Sequence, residues 1–154
     1  LQGMGTTLVA AILFEDQMVV AYIGDSRGYL NRDGNLSQLT EDHSLVNELV
    51  KRGEITEEQA RTHPQKNIIT RTLGISNDAD IDVNLYEIHK NDRLLLCTDS
   101  LSNMVENQRL LEVLESSLTT DQKCEQLIHD ANQAGGPDNI TVLIAENYQE
   151  GSDI

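Results

Sequence analysis

Met18-Val19-Val20-Ala21-Tyr22-Ile23-Gly24-Asp25-Ser26-Arg27-Gly28-Tyr29-Leu30-Asn31-Arg32-Asp33-Gly34-Asn35-Leu36-Ser37-Gln38-Leu39 is the stretch on which the fold turns. Asp33-Gly34 is a strong two-residue hairpin signal, and it sits between Gly28–Arg32 and Asn35–Leu39. Upstream, the apolar run Thr6–Phe14 meets the apolar run Met18–Gly24 across the short polar turn Glu15-Asp16-Gln17. That pattern predicts a second antiparallel hairpin. The polar run Asn31-Arg32-Asp33-Gly34-Asn35 is not a calcium loop, because Gly comes too early and no bidentate Glu closes it.

A helical stretch follows. Leu45, Val46, Leu49 and Val50 form an apolar stripe, with Ser44 as N-cap and Gly53 just past the end. Thr56-Glu57-Glu58-Gln59 reads as a capping box opening a short helix that must stop before Pro64. Strand signals return at Ile81–Ile88 and Arg93–Thr98, with Asn91-Asp92 supplying the turn. Two helices are then expected, at Gln108–Ser116 and at Asp121–Ala134 with Thr120 as N-cap, before a last strand at Ile140–Glu146. Residues 148–154 are polar and read as a frayed tail. Strands and hairpins with segregated helices argue an α+β fold with antiparallel sheets.

Three aspartates stand at the mouths of apolar strand runs. Asp25 ends Val19–Gly24, Asp99 ends Leu94-Leu95-Leu96-Cys97-Thr98, and Asp138 precedes Asn139-Ile140-Thr141-Val142 after Gly135-Gly136-Pro137. Carboxylates held at strand ends suit hard cations such as Mg²⁺ or Mn²⁺. Asp is equally a favoured turn residue, so spacing alone leaves both readings open.

Composition narrows the function. The chain has 154 residues, 26 acidic against 11 basic, and a net charge of −15. Such a field repels nucleic-acid backbones and anionic membranes, so neither is expected as a partner. Aromatics are 3% with no Trp, which argues against stacking platforms for single strands. No run approaches the roughly 18 apolar residues of a membrane span. Cys97 lies in an apolar strand and Cys124 in a helical pattern, so no disulfide is expected and a cytoplasmic setting is. The four histidines lack zinc spacing, and no signature of a covalent nucleophile is present.

In order along the chain, Gly3-Met4-Gly5-Thr6-Thr7-Leu8, Ile23-Gly24-Asp25-Ser26-Arg27, Thr40-Glu41-Asp42-His43-Ser44, His63-Pro64-Gln65-Lys66-Asn67 through Gly74, Leu95–Asp99 and Gly136–Val142 resemble the metal-dependent serine/threonine protein phosphatases of the type 2C (PPM) family, bacterial branch. The resemblance implies an αββα architecture: an antiparallel β-sandwich flanked by helices. Residues 1–147 would be the C-terminal two-thirds of the catalytic domain, N-terminally incomplete, with a flap-like insert at about 41–75. Leu1 is not an initiator residue, which agrees with a chain cut from something longer. The family's preceding segment carries a phosphate-binding arginine and a second metal motif that no residue here matches.

The resemblance further implies two or three Mn²⁺ or Mg²⁺ ions. Asp99 and Asp138 would hold one, Asp25 with Asp99 another, and His63 in the flap would reach substrate. Arg27 is read as structural, paired with a nearby carboxylate, and Asn139 as bracing its loop. His43 is placed near the flap base, and His89 and His129 on the surface. The implied reaction is hydrolysis of phosphoserine or phosphothreonine in phosphoprotein substrates, alongside a cognate Ser/Thr kinase. The chain by itself is expected to be inactive. The alternative is a catalytically dead, regulatory domain of the same fold. Unpaired strand edges would allow self-association. One departure stands out: Ser100 occupies a position where the family usually has Gly, so a positive φ there would be strained.

Overall fold

The structure, a computed structural model, describes residues 3–75, 78–136 and 138–146. The expected frayed tail at 148–154 lies outside the described residues. Strands β1 (Leu8–Phe14) and β2 (Gln17–Ile23) form the first hairpin in the register Leu8 opposite Ile23. β3 (Arg27–Arg32) and β4 (Asn35–Gln38) form the second. Both turn residues of that hairpin have positive φ, 50° at Asp33 and 74° at Gly34. This is the twist-matched geometry that Asp-Gly favours.

Segment 41–75 holds α1 (Leu45–Lys51) and α2 (Glu57–Thr62). Ser44 caps α1, and Thr56 with Gln59 closes the reciprocal capping box on α2, as the sequence predicts. β5 (Asp82–Glu87) and β6 (Arg93–Cys97) follow. They are consecutive but belong to different sheets. Asp92 is a buried anchor at that crossing as well as a turn residue. Its carboxylate takes two bonds from Arg32, at 2.9 and 2.6 Å, and one from the His89 N–H. Arg32 and the His89 N–H hold that carboxyl below the usual carboxylate range, against the opposing effect of burial.

The chain then forms α3 (Asp99–Ser102), α4 (Asn107–Glu115), α5 (Thr120–Gln133) and β7 (Val142–Glu146). The α5 N-cap is Thr119, one residue before the predicted Thr120, because Gln122 at the third helical position reaches back to it. All strand pairings are antiparallel, in a three-stranded sheet β1-β2-β5 and a four-stranded sheet β4-β3-β6-β7.

Two apolar clusters stack these layers. Met18, Val20 and Tyr22 of one sheet meet Leu30, Leu94 and Leu96 of the other. On the far side of the four-stranded sheet, Tyr29, Leu95 and Cys97 pack on Leu101, Leu110, Val113, Leu114, Leu127 and Ala131 of α3, α4 and α5. Period-2 alternation thus sends alternate residues of β3 and β6 to opposite cores. A buried Lys123–Glu146 pair at 2.6 Å ties α5 to β7. The outer face of the three-stranded sheet leaves Leu8, Ile12, Val83 and Leu85 exposed. Both cysteines are free thiols, and burial pushes the Cys97 thiol up to about 12.

Candidate metal centre

The three aspartate loops share one end of the sandwich for reasons of register. β2 ends in one sheet and the chain crosses at Gly24-Asp25-Ser26 into β3 of the other. Arg27, the first residue of β3, pairs with Cys97, two residues before Asp99. Thr98 in turn exchanges bonds with Thr141: its N–H donates to the Thr141 carbonyl at 3.2 Å, and its hydroxyl accepts from the Thr141 N–H at 3.0 Å. Thr141 is three residues after Asp138.

The charge of Asp99 acts on Asp25. The Asp25 carboxyl is pushed up to about 6, first by burial and then by the negative charge of Asp99. Two like charges in a partly desolvated corner disfavour joint ionisation. A cation with oxygen preference relieves both, so this donor pair fits Mg²⁺ or Mn²⁺. Asp138 is exposed, and its Oδ1 accepts the N–H of Asn139 at 2.7 Å. Among the described residues no group of three or more His, Cys, Asp or Glu side chains stands together as a ready metal cage.

Asp25 is gripped from both sides by a single loop. The Arg27 guanidinium donates to both oxygens of Asp42, at 2.9 Å from Nε and 2.6 Å from Nη2, and to the Tyr29 hydroxyl at 3.1 Å. Arg27 is thus the structural cation that the sequence predicts, and Asp42 is its carboxylate. The Gly28 N–H donates to the Thr40 hydroxyl at 3.1 Å, and the Gly24 N–H donates to His43 Nδ1 at 3.1 Å. Gly24 itself is required: φ is 105°, and a Cβ there would lie 2.3 Å from Thr7 Cγ2. His43 does sit at the base of segment 41–75, but its bond to Gly24 was invisible in sequence. The partners lie 19 residues apart and no periodicity links them.

Asp99 opens α3, where Asn103 Nδ2 donates to its Oδ2 at 3.3 Å. The strain considered for Ser100 does not exist. Ser100 is buried in α3, and the non-glycine residues with positive φ among those described are Glu15, Asp33 and Asn91. A helical position needs no glycine. His63 is the C-terminal cap residue of α2, and its Nδ1 accepts the Gln65 N–H at 3.1 Å, which ties it to its own turn. His89 and His129 are exposed.

Comparison with known proteins bears on this arrangement. A protein phosphatase 2C family model matches residues 2–52, and the model described as Stage II sporulation protein E (SpoIIE) matches 48–148, more than half of the chain. The chain belongs to the type 2C phosphatase family. The serine/threonine phosphatase stp of Listeria monocytogenes serotype 4b is 50% identical over 155 residues, covering 99% of this chain and 62% of that protein. The serine/threonine phosphatase PstP/Ppp of Mycobacterium tuberculosis superimposes with a TM-score of 0.92 at 40% identity, over 96% of this chain and 62% of that one. A catalytic domain of PstP solved in complex with 2 manganese ions gives 0.88 at 39% identity, over 97% of this chain and 61% of that one. The chain therefore spans about three fifths of the length of these type 2C relatives. The α+β architecture and antiparallel sheets expected from the sequence are those of this family. Among the described residues no helix is long and apolar enough to cross a membrane.

Proposed function

We propose that this domain serves metal-dependent hydrolysis of phosphoserine and phosphothreonine esters in proteins. The observation that carries the reading is the placement of Asp25 and Asp99 at the same end of the sandwich, where the register sets Arg27 opposite Cys97 and a cation would offset the charge of Asp99 on Asp25. Asp25 and Asp99 would hold one Mn²⁺ or Mg²⁺ ion and Asp99 with Asp138 another. When bound, such ions supply the charge that acidifies a water and neutralises phosphoryl oxygens. The chain's own residues fix where that charge sits. Asp42, through Arg27, and Thr40, through Gly28, hold the strand end after Asp25, while α3 holds Asp99. Arg27 is committed to Asp42 and Tyr29, so it is not a phosphate ligand.

Segment 41–75 would act as the flap. It carries five of the chain's 11 basic residues but six of its 26 acidic ones, so it is nearly neutral on a strongly acidic protein. That suits approach of a phosphorylated segment, with His63, Arg61 and Lys66 on its surface. The partners are phosphoproteins and the kinase that makes them. Two free thiols agree with a cytoplasmic setting. A second reading, a regulatory domain that binds without cleaving, is favoured by the lack of a three-ligand cage among the described residues.

Turnover of a phosphothreonine peptide decides between them. The 154 residues alone should hydrolyse it, and p-nitrophenyl phosphate, at close to the background rate in Mn²⁺, because positioning by part of a unit is not part of a rate. A protein spanning the relatives' full length should turn over only with metal, and Asp99→Asn should lower kcat by roughly a hundredfold or more. Metal-independent turnover would contradict the proposal. Metal binding with no turnover in the longer protein would establish the regulatory reading.

A further inference from the structure

His43 is the most constrained polar side chain beside the Asp25 loop that the reaction does not account for. It is buried, with 6% exposure. Its ring stacks on Tyr22, with centroids 5.5 Å apart and planes inclined by 25°. Both ring nitrogens have partners. Nδ1 faces the Gly24 N–H at 3.1 Å, and Nε2 faces Asp82 Oδ2 at 3.1 Å. A backbone N–H can only donate, so Nδ1 must accept and carries no proton. The ring proton therefore belongs on Nε2, where it is donated to the carboxylate of Asp82.

The backbone of His43 completes the grip. Its N–H donates to the Gly24 carbonyl at 2.9 Å, and its own carbonyl accepts the Thr70 N–H at 2.8 Å. Gly24 is thus held through both of its peptide groups by one residue. The second of those peptides is the one that carries Asp25. Asp82 is in turn braced by Arg71, at 3.5 Å. One residue therefore joins the end of β2 and the start of β5 through its ring, and the return limb of segment 41–75 through its backbone carbonyl.

We infer that His43 is a positioning residue: by holding a single tautomer, with Nδ1 bare, it sets the Gly24 peptide and so aims the Asp25 carboxylate at the metal. This rests on the reading of Asp25 as a metal ligand. The two nitrogens can be separated chemically. His43→Asn places an amide oxygen near the Nδ1 position and keeps an acceptor for Gly24, while losing the reach to Asp82. His43→Gln keeps a donor that reaches Asp82 and loses the acceptor for Gly24.

The test is calorimetric titration of Mn²⁺ into the 154-residue chain and its variants, with the ring ¹⁵N spectrum of the unsubstituted protein as a readout independent of any variant's folding. The expected spectrum at neutral pH shows Nε2 protonated and Nδ1 bare. Mn²⁺ affinity should fall about tenfold or more in His43→Gln, the usual size for loss of a group that orients a ligand. In His43→Asn it should stay within roughly threefold, by the same comparison. A protonated Nδ1, or equal losses in the two variants, would overturn the positioning role. Asp25→Asn is the control. If it binds Mn²⁺ as the parent does, the reading of Asp25 as a ligand fails. If it binds more weakly while His43→Gln is unchanged, the positioning role alone fails.

Discussion

Asp25 is held in place by three side chains of a neighbouring loop, whereas Asp138 is held by the peptide that follows it. Thr40, Asp42 and His43 fix Gly28, Arg27 and Gly24, so the Asp25 carboxylate is left partly buried and within the field of Asp99. Asp138 is exposed, and its only hydrogen bond among the described residues is to the adjacent N–H. The difference separates two ways to build half of a metal site. One carboxylate is preset by the fold, at an electrostatic cost that a bound cation would offset. The other is exposed and cheap to keep, and in the proposed site it would be fixed only by the ion.

The largest effect is expected from breaking the preset side. Arg27→Ala leaves Asp42 without its cation in a setting where the two side chains keep 23% and 16% exposure. Breaking a fully buried pair typically costs several kcal/mol, so about 2–4 kcal/mol is expected here. Urea unfolding measures it. A loss under 1 kcal/mol would show that the grip on the Asp25 loop is not structural.

A smaller effect, opposite in sign, is expected from removing the carboxylate itself. Burial, and then the charge of Asp99, push the Asp25 carboxyl up to about 6 from an ordinary 3.8. Between those values the folded state binds more protons than the unfolded one, so metal-free stability falls as pH rises through that window. Above it the cost, discounted for the partial exposure of the carboxyl to solvent, reaches about 2 kcal/mol. Asp25→Asn should therefore stabilise the metal-free chain by about 2 kcal/mol at pH 7.5 and scarcely at all at pH 4. Asp138→Asn, on an exposed loop, should stay within about 0.5 kcal/mol at both. Equal responses of the two variants would remove the contrast between them.

The smallest effect concerns Ser100. It is buried in the first turn of α3, with no positive φ to relieve. Ser100→Gly should cost about 0.5–1 kcal/mol of stability through added chain entropy, and should not raise activity. A gain in thermal stability would show strain at this position after all.

The fold was legible wherever the signal is local. Asp33-Gly34 gave its hairpin because the turn demands positive φ from both residues. Thr56 and Gln59 marked a helix start because the two side chains bond each other's backbone. Local signals also misled by a single residue, since Thr119 and Thr120 are alike until Gln122 selects one. The four-residue α3 is too short to show periodicity, and it removes the strain inferred for Ser100. Asn91-Asp92 looked like a simple turn. The bond from Arg32, 60 residues away, makes the buried Asp92 an anchor where the chain crosses between sheets. At the site, the aspartates were visible as strand-end carboxylates, and the charge of Asp99 reaches Asp25. Their support was not visible, because Asp42 and His43 act across 15 and 19 residues through tertiary contact alone.

Asp99 is common to both proposed ion positions, so its carboxylate tests the central claim most directly. Mn²⁺ should be titrated calorimetrically into the 154-residue chain and into Asp99→Asn at pH 7.5. Loss of a carboxylate ligand should weaken binding by roughly tenfold or more, with the far-UV spectrum of the variant unchanged. Equal affinity in the two proteins would contradict the assignment of this end of the sandwich as the metal centre.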